Sequence, residues 1–235
     1  MQNSILLKLL MNDTKHYPPP WNLKGEGFII PFLGNKSLLL DKGFIPEEDK
    51  DFFVGGVGAI MVVNYESSNV GPYFELLFIP GDFEHIRTTN TSTQKKIYKK
   101  ITKIYVSSLT SVQEGRLNWA IPKEMAEFTW KKELNKTMIS ASTKESGIFL
   151  EAEFTKKFFH FPISTRLYPI SLLQKSETGK LINTQFLGSG KSKFSSINKW
   201  TVNEKLFANP ISISNFCFGL SADDFNIIFP IPEIF

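Results

Sequence analysis

Two ionisable residues in this chain have neighbours that could turn them to chemistry. Lys123 closes the stretch Gly115-Arg116-Leu117-Asn118-Trp119-Ala120-Ile121-Pro122-Lys123, and Glu124 follows it. Glu75 sits inside Pro72-Tyr73-Phe74-Glu75-Leu76-Leu77-Phe78-Ile79. A neutral lysine amine attacks a ketone and forms a Schiff base. An ordinary surface lysine does this poorly, because at a pKa of ~10.4 only about one in 2,500 is neutral at pH 7. Bringing half of it to the neutral form costs about 4.6 kcal/mol, which desolvation can supply. A carboxylic acid among apolar and aromatic residues is costly to bury and needs a partner or a proton. For Glu75, strand alternation offers two outcomes, turned inward or turned to solvent. An isolated lysine after a proline is, on its own, a surface residue.

The elements around these residues read mostly as strands. Pro18-Pro19-Pro20-Trp21 gives an extended, stiff entry after a lead-in at residues 1–17. Gly27–Leu33, Val57–Tyr65 and Pro72–Pro80 read as strands by their apolar, β-branched or aromatic runs. Residues 34–52 hold turn and charge signals. Residues 81–93 read as a polar loop, Lys95–Lys100 as a short helix or turn, and Ile101–Leu109 as a strand. Ser111–Asn118 reads as a short helix ended by Pro122. Further strands are expected at Glu127–Glu133, Thr137–Ala141, Ile148–Thr155, Lys157–Pro162, Lys180–Leu187 and Lys193–Trp200. Gly188-Ser189-Gly190 between the last two has the chemistry of a hairpin loop. The C-terminal segment, with Pro230 and Pro232, suits an edge or a tail laid on the core. About ten short strands with few amphipathic helices predict a mainly β barrel or sandwich, or an α+β fold with few helices. Without a linker or an internal repeat, residues 1–235 are expected to form a single domain.

Composition narrows the function classes. The hydrophobic share of 42% and charged share of 21% are globular values. A chain this long buries roughly 70–75% of its unfolded surface and needs no metal or disulfide staple. Twenty-two phenylalanines fit either a large β core or an aromatic ligand cavity. The net charge of +4 is mild, and the densest basic run, Lys95-Lys96-Ile97-Tyr98-Lys99-Lys100, comes with no recognition motif, so no nucleic-acid partner is expected. No stretch approaches ~18 apolar residues, so no membrane span is expected. A single Cys217 excludes an internal disulfide and, with no signal-peptide pattern, fits a cytoplasmic protein. His16, His85 and His160 lie far apart without ligand spacing, so no metal site is expected. Gly190-Lys191-Ser192 lacks the first glycine of a phosphate loop, because Gln185 stands there.

Gly115-Arg116-x-x-Trp119-x-x-Pro122-Lys123 resembles the active-site signature of the acetoacetate decarboxylase family. There the lysine after proline is the Schiff-base nucleophile. Pro72-Tyr73-Phe74-Glu75 is similar to the family's Tyr-x-Glu segment, and Pro20-Trp21-Asn22-Leu23-Lys24-Gly25 to its entry to the first strand. The resemblance covers about residues 18–170. It implies a β-barrel or cone enclosing a central cavity, and a cofactor-free lyase that decarboxylates a β-keto acid such as acetoacetate. Lys123 would form the iminium that serves as electron sink, and Glu75 would orient substrate or handle protons. A homo-oligomer and a small keto-acid substrate are the partners implied. Related Schiff-base aldol or dehydration chemistry, and a non-catalytic barrel for a small apolar ligand, are the alternatives.

Lys24, Arg116, Ile60 and Glu124 are the further positions that the resemblance draws around the substrate. Three of them depart from the pattern. Glu124 stands where the family has a second lysine. Ile60 stands where it has a glutamate on the preceding strand. The family's early arginine has no counterpart before Arg87, and Lys24 stands near its place as a point charge. Arg116 is expected to support structure. A carboxylate beside Lys123 would hold the amine protonated, so activity requires a dry pocket and Glu124 facing the other way.

Overall fold

The computed structural model describes residues 15–88, 93–166 and 169–235. The chain opens with β1 (Trp21–Gly34), a short helix α1 (Lys36–Lys42) and a 3-10 turn, Glu47–Phe52. Then come β2 (Phe53–Gly55), β3 (Val57–Ser67), β4 (Tyr73–Ile79), β5 (Asp82–Thr88), β6 (Thr93–Lys99) and β7 (Lys103–Val106). Helix α2 (Leu109–Trp119) leads into β8 (Lys123–Met125). The second half holds β9 (Glu127–Glu133), β10 (Lys136–Thr143), β11 (Gly147–Ser164), β12 (Ser171–Lys175), β13 (Leu181–Gln185) and β14 (Leu187–Val202). It closes with α3 (Pro210–Ile213), β15 (Ser214–Cys217), β16 (Gly219–Phe229) and β17 (Glu233–Ile234).

The larger sheet runs β8-β7-β4-β3-β1-β16-β14-β11-β10-β9, with β15 added beside β1. Its two end strands are consecutive in the chain and a single residue, Ala126, joins them. One extended residue spans only ~3.6 Å, so the sheet has to curl until its ends meet. The result is a mostly β fold built on a curled half-barrel sheet, in keeping with the mainly β barrel or cone expected from the sequence. A smaller sheet, β17-β13-β12-β6-β5-β2, lies against it.

Strand alternation sorts the apolar residues into two cores. On one face of the large sheet, Phe28 stacks on Phe154 at 4.2 Å and Phe32 on Phe78 at 5.8 Å, beside Ile60, Val62, Leu76 and Trp200. Eight of the 22 phenylalanines are buried in this core. The opposite face carries Trp21, Leu23, Tyr65, Tyr73, Leu77 and Ile104, and packs against α2 and Leu172 of the smaller sheet.

Several sequence expectations are corrected. Residues 82–88 form β5 rather than a loop, and the basic run lies in strand β6 as far as Lys99, paired antiparallel with β5. Facing acids stabilise that pairing, Lys95 meeting Glu84 and Lys99 meeting Asp82; just beyond the strand the buried Lys100 meets Asp49 of the 3-10 turn. Ser107 and Ser108 lie beyond the end of β7, and Leu109 opens α2. Gly188-Ser189-Gly190 is no hairpin; it lies inside β14, between β11 and β16. A Cβ on Gly190 would stand 2.9 Å from the Cβ of Phe225, so glycine permits a close approach there instead of a turn. The lead-in lies outside the described residues up to 14. Its end is pinned to α2 by Tyr17 N–H donating to Glu114 at 3.2 Å and by Asn118 donating to the Tyr17 carbonyl at 2.8 Å, and to β1 by Trp21 donating to the same carbonyl at 2.8 Å.

Candidate active site

Lys123 is aimed by the local chain. Ser108 caps α2 by accepting from the Ser111 N–H at 3.2 Å. At the other end Ala120 takes the left-handed conformation, φ 52°, and its N–H donates to the Arg116 carbonyl at 3.0 Å. The Lys123 N–H then reaches back to the Ile121 carbonyl at 2.8 Å, a tight turn around Pro122 whose fixed φ suits it. The guanidinium of Arg116 donates from Nε to the Lys123 carbonyl at 2.9 Å. The backbone of Lys123 is therefore held at both its N–H and its C=O before its side chain is considered.

The lysine stem lies across the helix, and this explains Gly115. A Cβ there would sit 2.8 Å from Lys123 Cδ and 2.9 Å from Cε, closer than real atoms approach. One turn earlier on the same helix face, Ser111 accepts a hydrogen bond from Lys123 Nζ at 3.0 Å.

Glu75 faces inward. On β4, Tyr73, Glu75, Leu77 and Ile79 share the face that packs toward Lys123. Glu75 Oε2 lies 2.9 Å from Lys123 Nζ, and both residues are only 4% exposed. Tyr65 donates its hydroxyl to Glu75 Oε1 at 3.2 Å. Tyr73 stands opposite Tyr65 in the β3–β4 register, and its ring lies 5.2 Å from Lys123 Nζ. Burial pushes both tyrosine hydroxyls well above their ordinary pKa, with the charge of Glu75 adding to it. Both stay neutral phenols, able to donate. The group is a closed polar network, Tyr65–Glu75–Lys123–Ser111, in an otherwise apolar place.

A cavity of about 40 Å³ opens beside this network. Its walls include Trp21, Trp119, Ile104, Ile121, Leu172 and Phe229. Trp119 meets Trp21 edge-on at 4.9 Å and donates its indole N–H to the Pro230 carbonyl at 3.0 Å. It thereby ties the C-terminal segment over the cavity.

The other positions singled out in the sequence do not join the network. Glu124 follows Lys123 on β8 but points away, pairing with Lys103 at 2.6 Å. Ile60 is fully buried in the core on the opposite face of β3, and its neighbour Met61 lines the cavity instead. Lys24 is exposed, on the face of β1 opposite to Trp21 and Leu23. Arg116 touches the lysine backbone and not the cavity. Tyr65 and Ser111 carry no signal in the sequence, and Tyr73 and Gly115 stand there only as motif positions without a role. Period-two spacing from Glu75 would have found Tyr73, and i, i+4 spacing on the helix would have joined Ser111 to Gly115.

No family model and no curated protein matches the chain, but solved structures do. Acetoacetate decarboxylase superposes with a TM-score of 0.62 at 11% identity, over 97% of each chain. Acetoacetate decarboxylase from Legionella pneumophila gives 0.59 at 13% identity, over 98% of this chain and 95% of that one. The enduracididine biosynthesis enzyme MppR complexed with pyruvate gives 0.62 at 11% identity, over 95% and 93%. At these identities the likeness concerns architecture alone: the chain has the acetoacetate decarboxylase-like fold.

Proposed function

We propose that the protein is a Schiff-base decarboxylase of a β-keto acid, with Lys123 as nucleophile and Glu75 as its proton partner. The observation that carries this is the buried Lys123–Glu75 contact of 2.9 Å facing an apolar cavity. The Glu75 carboxylate favours the ammonium form of Lys123; passing the lysine proton to Glu75 neutralises both groups, which a dry pocket favours, and the neutral amine attacks the keto carbon. The protonated Glu75 returns that proton to the carbinolamine hydroxyl, which leaves as water. The iminium draws in the electrons of the breaking C–C bond as carbon dioxide departs. The enamine left behind takes a proton at carbon, and water hydrolyses the resulting iminium to free the ketone and the amine. One proton is consumed overall.

The cavity walls favour decarboxylation over the aldol and dehydration alternatives. Among its lining residues Lys123 is the one cation. A substrate carboxylate placed there meets apolar walls, and its charge disperses as it leaves. A keto acid that kept its carboxylate through the cycle would hold it buried without a partner, which is costly. A barrel serving only as an apolar binder gains nothing from a buried ion pair, whose desolvation offsets its attraction.

The test is product formation from acetoacetate followed by NMR. The protein should form acetone and carbon dioxide faster than buffer, and Lys123→Ala should fall to the buffer rate. A wild-type protein no faster than buffer with any β-keto acid would end the proposal.

A further inference from the structure

The Lys123 cavity continues beyond its own walls. Met61, Ile79, Phe186 and Ile227 line it, and the same four residues line a second hollow of about 410 Å³. Strand periodicity makes the two one surface. On β3, Tyr65 belongs to the cavity, Met61 to both spaces, and Ala59 to the hollow. On β1, Trp21 and Leu23 belong to the cavity, and Gly27 and Ile29 to the hollow. Among the described residues, the hollow is lined by no Asp, Glu, Lys, Arg or His; its polar side chains are Ser164, Thr165 and Ser189. The 40 Å³ cavity has room for only about three waters. The hollow alone falls in the ~300–1,000 Å³ range that accommodates organic ligands.

Resting on the Schiff-base assignment above, we propose that this hollow holds the aliphatic tail of a medium-chain 3-oxo acid. The keto carbon and carboxylate sit in the small cavity at Lys123, and the tail passes Met61 and Phe186 into the hollow. The chemistry is unchanged by the tail: R–CO–CH₂–COO⁻ and a proton give the methyl ketone R–CO–CH₃ and carbon dioxide. The tail exchanges water for apolar walls, and each buried methylene is worth about fourfold in affinity for the reacting state. A charged head beyond the tail would find no partner in the hollow.

The test compares kcat/KM for acetoacetate, 3-oxohexanoate, 3-oxooctanoate and 3-oxodecanoate. The expected result is a rise of about fourfold per methylene until the hollow is filled. Ala59→Phe, which fills the hollow without touching Lys123, should flatten the series while leaving acetoacetate turnover unchanged. Ala59→Leu, a smaller change, should flatten only its upper end. Calorimetric binding of decanoate, weakened in Ala59→Phe, reads the hollow without any covalent step. A flat wild-type series with acetoacetate turned over overturns the tail and leaves the Schiff base standing. Failure of every 3-oxo acid to react, with decanoate still bound in the hollow, removes the Schiff base; absence of decanoate binding removes the tail. If Ala59→Phe changes the particle mass in light scattering and not the chain-length preference, the hollow takes a second copy of this chain and the proposal is overturned.

Discussion

Gly115→Ala separates positioning from folding. In an open helix this substitution stabilises by roughly 0.8–1.0 kcal/mol. Here the new Cβ would lie 2.8 Å from Lys123 Cδ, whereas ordinary contact begins at 3.4 Å. The lysine stem must therefore give way by about 0.6 Å. It is held at Nζ by Glu75 at 2.9 Å and Ser111 at 3.0 Å. A shift of that size carried to Nζ stretches both contacts past hydrogen-bond range. The steric cost of about 1–3 kcal/mol exceeds the helix gain by up to about 2 kcal/mol, so the protein should stay folded and its melting temperature should fall by less than about 8 °C. Misplacing a reacting group by ~1 Å costs on the order of 10²-fold, so turnover should fall steeply. Circular-dichroism melting and single-turnover kinetics with acetoacetate measure the two. A Gly115→Ala protein that melts normally and turns over at the wild-type rate would refute the claim that the helix surface aims the lysine.

Three further outcomes are expected. Glu75→Gln keeps the shape but removes the partner that frees the amine and dehydrates the carbinolamine, so kcat and adduct formation should both fall about 10²–10⁴-fold; equal rates for variant and wild type would remove Glu75 from the chemistry. Glu124→Ala breaks only the Lys103 pair on the far side of β8, so turnover should be unchanged and stability should drop by less than about 1 kcal/mol; a large rate change would place Glu124 back in the site. Below pH 10 both folded and unfolded chains keep the protons of Tyr65 and Tyr73. Above it the unfolded chain ionises while the buried phenols hold on, so stability falls by about 1.4 kcal/mol per pH unit for each until its raised folded value is passed. Tyr73→Phe should make that alkaline slope shallower in urea unfolding, and an identical slope would contradict the burial argument.

Much of the β architecture and the two ends of the site were legible in the sequence. Lys123 and Glu75 stood out because an ionisable residue in an apolar run is costly wherever it lies. The tyrosines did not stand out, since a Tyr in a strand reads equally well as core. Gly115 hid its role because the atoms it makes room for belong to a residue eight positions later. The face taken by Glu124 followed from alternation, but which of the two faces was wet depended on Lys103, a partner on another strand. The inclusion of Gly188 to Gly190 in β14 escaped local reading because turn chemistry and close strand packing both call for glycine. Likewise, β6 looked like a short helix or turn until its lysines met acids from β5.

Lys123 is expected to form a covalent imine with a keto acid. Borohydride added during turnover of acetoacetate, followed by proteolysis and mass spectrometry, tests it directly. The expected result is one reduced isopropyl adduct on Lys123, absent from Lys123→Ala and strongly diminished in Gly115→Ala. No adduct with any keto acid, or an adduct found on exposed lysines such as Lys24 and not on Lys123, would contradict it.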